Sequence, residues 1–170
     1  NTYNLAEVGA HLPDFIGRHE VLAEFPFLED LARLEWSMIE SFFAPWSGAL
    51  DPAELTKVPE AQWPQMKFKF DQSLRLLESS WPVIGLANQN KNPQCMNPKM
   101  PQKAWVVIWR SQDGVVMDAM DELDCEVLKL AMKGKSLEEI GNCISEHMIA
   151  DLSPHRISGI FGTWLSKKIL

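Results

Sequence analysis

AWVVIWRSQDGVVMDAM, residues 104–120, is the stretch on which the reading of this 170-residue chain turns. Its first six residues, before Arg110, are apolar on both parities, which suits a central strand covered on both faces. Ser111-Gln112-Asp113-Gly114 supplies a turn, because Gly114 takes a positive φ at little cost. Residues 115–120 then return as a neighbouring strand. A β-hairpin of this kind belongs either to the wing of a DNA-binding winged helix or to a small sheet whose free edge binds something else.

Upstream, FPFLEDLARLEWSMIESFFAPW places Leu31, Leu34, Met38 and Phe42 at helical spacing, with Glu29, Asp30, Arg33 and Glu40 on the opposite side. That pattern predicts an amphipathic helix of about four turns, ended by Pro45. MKFKFDQSLRLLESSW follows with period-two alternation: Phe68, Phe70, Leu74 and Leu76 share one parity, and Lys67, Lys69 and Arg75 the other. A strand over 67–80 is expected, lying on the far side of the central strand from the hairpin. The proline- and asparagine-rich segment 81–103 reads as an exposed excursion.

Downstream, residues 123–132 form a helix by period, with Gly134 as its stop. SLEE from Ser136 is a capping box for a helix running to about His147. Ser153-Pro154 opens a last helix carrying Ile157, Ile160, Phe161, Trp164 and Leu165. The expected fold class is α+β, divided into a helical region over 1–65 and, over 66–170, a three-stranded antiparallel sheet with three helices in a winged-helix-like unit.

Composition narrows the function classes. With 46% hydrophobic residues the chain folds rather than stays disordered. Residues 104–109, the longest apolar run, have a strand's length rather than a membrane span's, and no charged-then-apolar leader opens the sequence. Three widely spaced cysteines, Cys95, Cys125 and Cys143, do not form a secreted disulfide framework, so a reducing cytoplasmic setting is expected. The net charge of −7 opposes attraction to polyphosphate and favours a basic partner.

Each candidate chemistry has a plainer reading beside it. Residues 134–165 resemble a helix-turn-helix, but residues 121–170 hold six basic against eight acidic side chains, and the last helix offers mainly Arg156 to base edges. Nucleic acid is therefore not the expected partner. Cys143 and His147 sit one helical turn apart without a second ligand pair, and Cys95, Met96 and Met100 form a soft cluster lacking a further constraint. No metal site is expected in this chain. No nucleophile motif or phosphate-cradling loop is present, so no catalytic residue is assigned. Glu35 is an acid on an apolar helix, with Arg33 and Arg75 as available partners. Trp36, Trp81, Trp105, Trp109 and Trp164 are expected in the core.

The remaining feature is an edge. If residues 104–110 are central, residues 115–120 have one side unpaired and can accept an extended peptide by main-chain hydrogen bonding. The plainer reading is a solvated edge protected by Asp118. The expected docking residues are Val115, Val116, Met117 and Asp118 on the strand, with Ile157, Ile160 and Phe161 as a flanking helix, the plainer reading of these helix positions being core. Asp113, Asp121 and Glu122 are the acids expected to meet basic peptide side chains.

ARLEW (32–36), SLRLLESSWPV (73–83) and VIWRSQDG (107–114), in this order and followed by a three-helix tail, resemble the MbnC and HvfC/BufC family of helper proteins, whose members often carry a DNA-binding label. The resemblance covers most of the chain from about Leu12 onward, and the order of the motifs carries its specificity. It implies a non-catalytic subunit, without a cofactor of its own, paired with an MbnB-like TIM-barrel iron oxygenase. In that family the helper helps recognise the basic leader of a ribosomally made precursor peptide, and the leader can add as a strand to the helper's sheet. The partner's iron oxidises core cysteines to oxazolone and thioamide groups, as in methanobactin. HvfC-type members carry an additional N-terminal helical domain, so these 170 residues are expected to be of the shorter MbnC type.

Overall fold

A computed structural model describes residues 9–45, 47–48, 50–55, 57–88, 100–147 and 154–169. In chain order the elements are α1 (Leu12–Ile16), α2 (Leu28–Phe43), α3 (Pro52–Leu55), β1 (Arg75–Ser79), α4 (Val83–Asn88), β2 (Ala104–Ser111), β3 (Gly114–Met120), α5 (Glu122–Met132), α6 (Leu137–His147) and α7 (Pro154–Ser166), with short 3₁₀ turns between some of them. The fold is α+β with one antiparallel three-stranded sheet in the order β1-β2-β3.

Packing divides the chain differently from a cut at residue 65. One compact unit comprises Asn1–Ala44 with Ser73–Asp121, and the other Pro45–Gln72 with Glu122–Leu170. The sheet shares its unit with α2 and α4, whereas the three C-terminal helices belong to the other unit. The reason lies in the sheet's core, which the apolar stripe of α2 supplies.

In the sheet unit, Val106 and Ile108 project from β2 into a cluster with Phe27, Leu31, Leu34, Val83 and Leu86, and Leu77, Val115 and Met117 pack against it from the flanking strands and Met38 from α2. Antiparallel register places Leu77 opposite Val106 and Met117 opposite Ile108, so all these side chains share one face. Val107 and Trp109, on the other face of β2, are buried as well. The central strand is thus covered on both sides, as its unbroken apolar sequence predicts.

The sequence pattern of α2 holds for Leu31, Leu34 and Met38 but not for Phe42, which is 51% exposed near the helix end with the Arg110 guanidinium 5.5 Å from its ring. Ser41 is buried instead, donating to the Ser73 carbonyl at 2.6 Å. Asp30 is not on a purely wet face either. It accepts from the Ser79 hydroxyl and the Ser80 amide, fixing the turn after β1.

β1 is shorter than the alternation implies. The Ser73 hydroxyl accepts the amide of Arg110 at 3.0 Å, so a side chain takes the donor that a continuing ladder would need. Residues 66–71 lie outside any helix or strand, with Met66 itself extended, and Phe68 and Phe70 belong to the other unit, where Phe68 stacks on Phe161 and Phe70 meets Trp164 edge-on. The excursion 81–103 begins with a helix, α4, whose Val83 and Leu86 are buried. Trp164 and Trp109 are buried, while Trp36, Trp81 and Trp105 are only half-buried.

In the helical unit, Gly134 has φ +76° and ends α5 with paired bonds from Gly134 to Ala131 and from Lys135 to Leu130, the Schellman arrangement that a left-handed residue permits. The capping box of α6 forms in full: the Ser136 amide donates to Glu139 at 2.7 Å, and the Glu139 amide to the Ser136 hydroxyl at 3.3 Å. The Leu137 amide donates to the Met66 carbonyl, tying the segment 66–71 to the same helix start. Ser153, the expected cap of the last helix, lies outside the described residues.

The Ser136 amide holds the Glu139 carboxyl below its ordinary value, with the Ser136 hydroxyl, Lys67 and Lys135 acting in the same direction. Because the folded value is the lower one, the ionised cap stabilises α6 above the ordinary carboxylate range, and this contribution disappears as pH falls through the folded value. Urea midpoints of the protein and of Glu139→Gln are therefore expected to differ at neutral pH and to converge on acidification. A gap independent of pH would show that the charge of Glu139 does not strengthen the cap.

Candidate peptide-docking edge

β3 is an edge strand because the turn before it fixes its register and nothing described pairs with its outer side. Gly114 sits at φ +130°, a conformation that suits glycine, and the Ser111 hydroxyl spans the turn by donating to the Gly114 carbonyl. With Ser111 opposite Gly114 as the first hydrogen-bonded pair of a two-residue turn, the pairing alternates along the hairpin. Val116, Asp118 and Met120 face β2 with their main-chain groups, and Val115, Met117 and Ala119 turn theirs outward.

The two edges of the sheet differ. β1 has five residues and carries Arg75, ion-paired to Glu40 at 3.2 Å, and Glu78, ion-paired to Lys103 at 2.8 Å. Short, charged edge strands resist strand addition. β3 has seven residues, and its first half, Gly114 to Met117, is uncharged. Its Val115 and Met117 side chains are anchored in the core cluster, so the main chain between them is held in place. Val116 is the strand's exposed large apolar side chain, at 38%.

The expected acids fall at both ends of this strand. Asp113 is exposed at the turn, its amide bonded to the Ser111 hydroxyl. Asp121 is exposed directly after β3, and Glu122, also exposed, opens α5. Asp118 is half-buried, and its carboxylate accepts the amide of Ala119 at 2.8 Å. Sequence reasoning placed Asp118 on the edge; this bond to its neighbour has no sequence signal, because it depends on which amides face outward.

Of the expected flanking helix, Ile160 and Phe161 take the core alternative. Ile160 and Phe161 are 5% and 8% exposed, and Phe161 lies between Phe68, stacked at 4.7 Å, and Trp164, edge-on at 4.8 Å. They are core residues of the helical unit rather than a docking face, and the side chain of Ile157 lies outside the described residues. The described exposed positions of α7 are Arg156, Gly159, Gly162, Thr163 and Ser166, of which Arg156 alone suits base reading.

The other candidate chemistries gain little. Arg33 pairs with Glu29 and Arg75 with Glu40, leaving Glu35 on the exposed side of α2 without either arginine. Cys95 and Met96 lie outside the described residues, as does the side chain of His147, while Met100 is exposed and Cys143 half-buried. Among the described residues no three His, Cys, Asp or Glu side chains gather as a metal requires. A surface hollow of about 400 Å³ is lined by His11, Asp14, Phe15, Arg18 and His19, and another of about 270 Å³ by residues including Leu55, Val58, Met66 and Phe68. Neither sets a serine or cysteine beside a histidine. Among the described residues no helix is long and apolar enough to cross a membrane. Comparison of the chain with protein-family models and with curated proteins gives no match to either.

Proposed function

We propose that this chain is the non-catalytic partner of an MbnB-like multinuclear iron oxygenase in the cytoplasm, and that it holds the leader of a ribosomally made precursor peptide while the partner oxidises the peptide's core cysteines. The family is that of the MbnC and HvfC/BufC helpers, by the three ordered motifs quoted above. The observation that carries the peptide reading is β3: an edge strand with outward main-chain groups at Val115, Met117 and Ala119, side chains anchored in a core, and acids at both ends. An extended peptide pairs with such a strand through its backbone, whatever its sequence, and a basic one is favoured by Asp113, Asp121, Glu122 and the net charge of −7. The chain itself supplies no iron ligand in this scheme; the metal is the partner's.

Strand addition has a signature that other binding modes lack. A strand presents alternate residues to its neighbour, so N-methylation of a bound peptide should abolish binding at every second position and leave the positions between untouched. An acetylated, amidated heptapeptide of alternating lysine and valine, scanned in this way, serves as the probe. Met117→Pro should weaken the unmodified probe about tenfold or more, since it removes an outward amide that no ladder bond within the sheet uses. Uniform sensitivity to methylation, or binding unaffected by Met117→Pro, would remove the docking edge. Co-expression with an MbnB-like oxygenase tests the other half: failure to co-purify would remove the partner assignment.

A further inference from the structure

We propose that Asp118 is a ladder stop, limiting an added strand to the outward groups of Val115 and Met117. The inference rests on the docking reading of β3 and specifies how much of that strand is used. Three residues of β3 turn their amides outward, and they are not equivalent. Val115 and Met117 precede Asp118, whereas the amide of Ala119 already donates to the Asp118 carboxylate at 2.8 Å.

An ionised carboxylate is a stronger acceptor than a peptide carbonyl, so an incoming strand that reached Ala119 would exchange a charge-assisted bond for a neutral one. Among the described residues no such competing acceptor stands at Val115 or Met117. The added strand gains its bonds over the uncharged half of β3 and gains nothing beyond it. This is a selective form of edge protection: a fully open seven-residue edge invites pairing with any extended chain, and one carboxylate shortens it to two outward residues. The peptide class that fits is one whose extended part is short, about three residues opposite Val115 to Met117, with its remaining affinity coming from contacts outside the ladder.

Two variants separate the cap from the charge. Asp118→Asn retains a side-chain oxygen that can accept the Ala119 amide, and Asp118→Ala does not, while both are neutral. With the alternating lysine–valine heptapeptide as probe, Asp118→Ala should bind about fivefold more tightly than Asp118→Asn, the value of roughly one additional main-chain hydrogen bond. Amide exchange measured with and without the probe should show new protection at Val115 and Met117 in the native protein and in Asp118→Asn, and at Ala119 as well only in Asp118→Ala. Equal affinities for the two variants, or protection of all three amides in the native protein, would overturn the ladder stop while leaving the docking edge intact. No response at any of the three amides would overturn both.

Discussion

Ile108→Ala should destabilise the sheet unit by about 4 kcal/mol, close to a thousandfold in its opening equilibrium. Ile108 has no exposed surface and lies on the central strand, between Arg75 on β1 and Met117 on β3. Its neighbours in the core are Leu31 and Leu34 from α2 and Val83 and Leu86 from α4. Removing three carbons there leaves a cavity that the backbone cannot close, because β2 is hydrogen-bonded on both sides. The cost therefore falls in the upper part of the range for such truncations. Ile108→Val, which removes one methyl, should cost about 1 kcal/mol. Native-state exchange of the Val106 and Ile108 amides reads the change within this unit. A loss below about 1.5 kcal/mol for the alanine variant would show that the site collapses and that this cluster is not the centre of the core.

The same strand shows what the sequence makes legible. Burial of β2 on both faces follows from its lack of alternation, and with it the order β1-β2-β3 and the edge position of β3. The caps of α5 and α6 are equally local, since Gly134 and Ser136-x-x-Glu139 act on amides and carbonyls within a few residues. The readings that fail are those in which one pattern serves two structures. Alternation at Lys67 to Phe70 reports a chain with one buried side, and it does not say whether a second strand or a helix does the burying. Ile160 and Phe161 likewise fit either a core or a docking face, because both want apolar side chains at helical spacing. The helix at Val83 was hidden by the prolines and asparagines that follow it, although Pro82 immediately before it is a recognised start signal. At the candidate site, the edge and its acids are visible in sequence, whereas the bond between Asp118 and the Ala119 amide is not, because it needs the pairing phase of the hairpin.

Trp164→Ala should cost the helical unit about 4–5 kcal/mol, and the reason is the segment misread as a strand. Trp164 is 1% exposed and meets Phe161 at 4.8 Å and Phe70 at 5.9 Å, both edge-on, while Phe161 stacks on Phe68 at 4.7 Å. Four aromatic rings from two stretches of chain thus form one contact chain, and such pairs contribute about 0.5–1.5 kcal/mol each beyond the area they bury. Residues 66–70 have no ladder to hold them. Their order comes from these rings and from the Met66 carbonyl, which accepts the amide of Leu137. Truncating Trp164 should therefore release protection at the Leu137 amide as well as in α7, although the two lie far apart in sequence. Trp164→Phe keeps a ring in the site and should lose about half as much. If Trp164→Ala unprotects α7 but leaves the Leu137 amide unchanged, the aromatic chain is not what holds this segment, and the hydrogen bond to Met66 suffices.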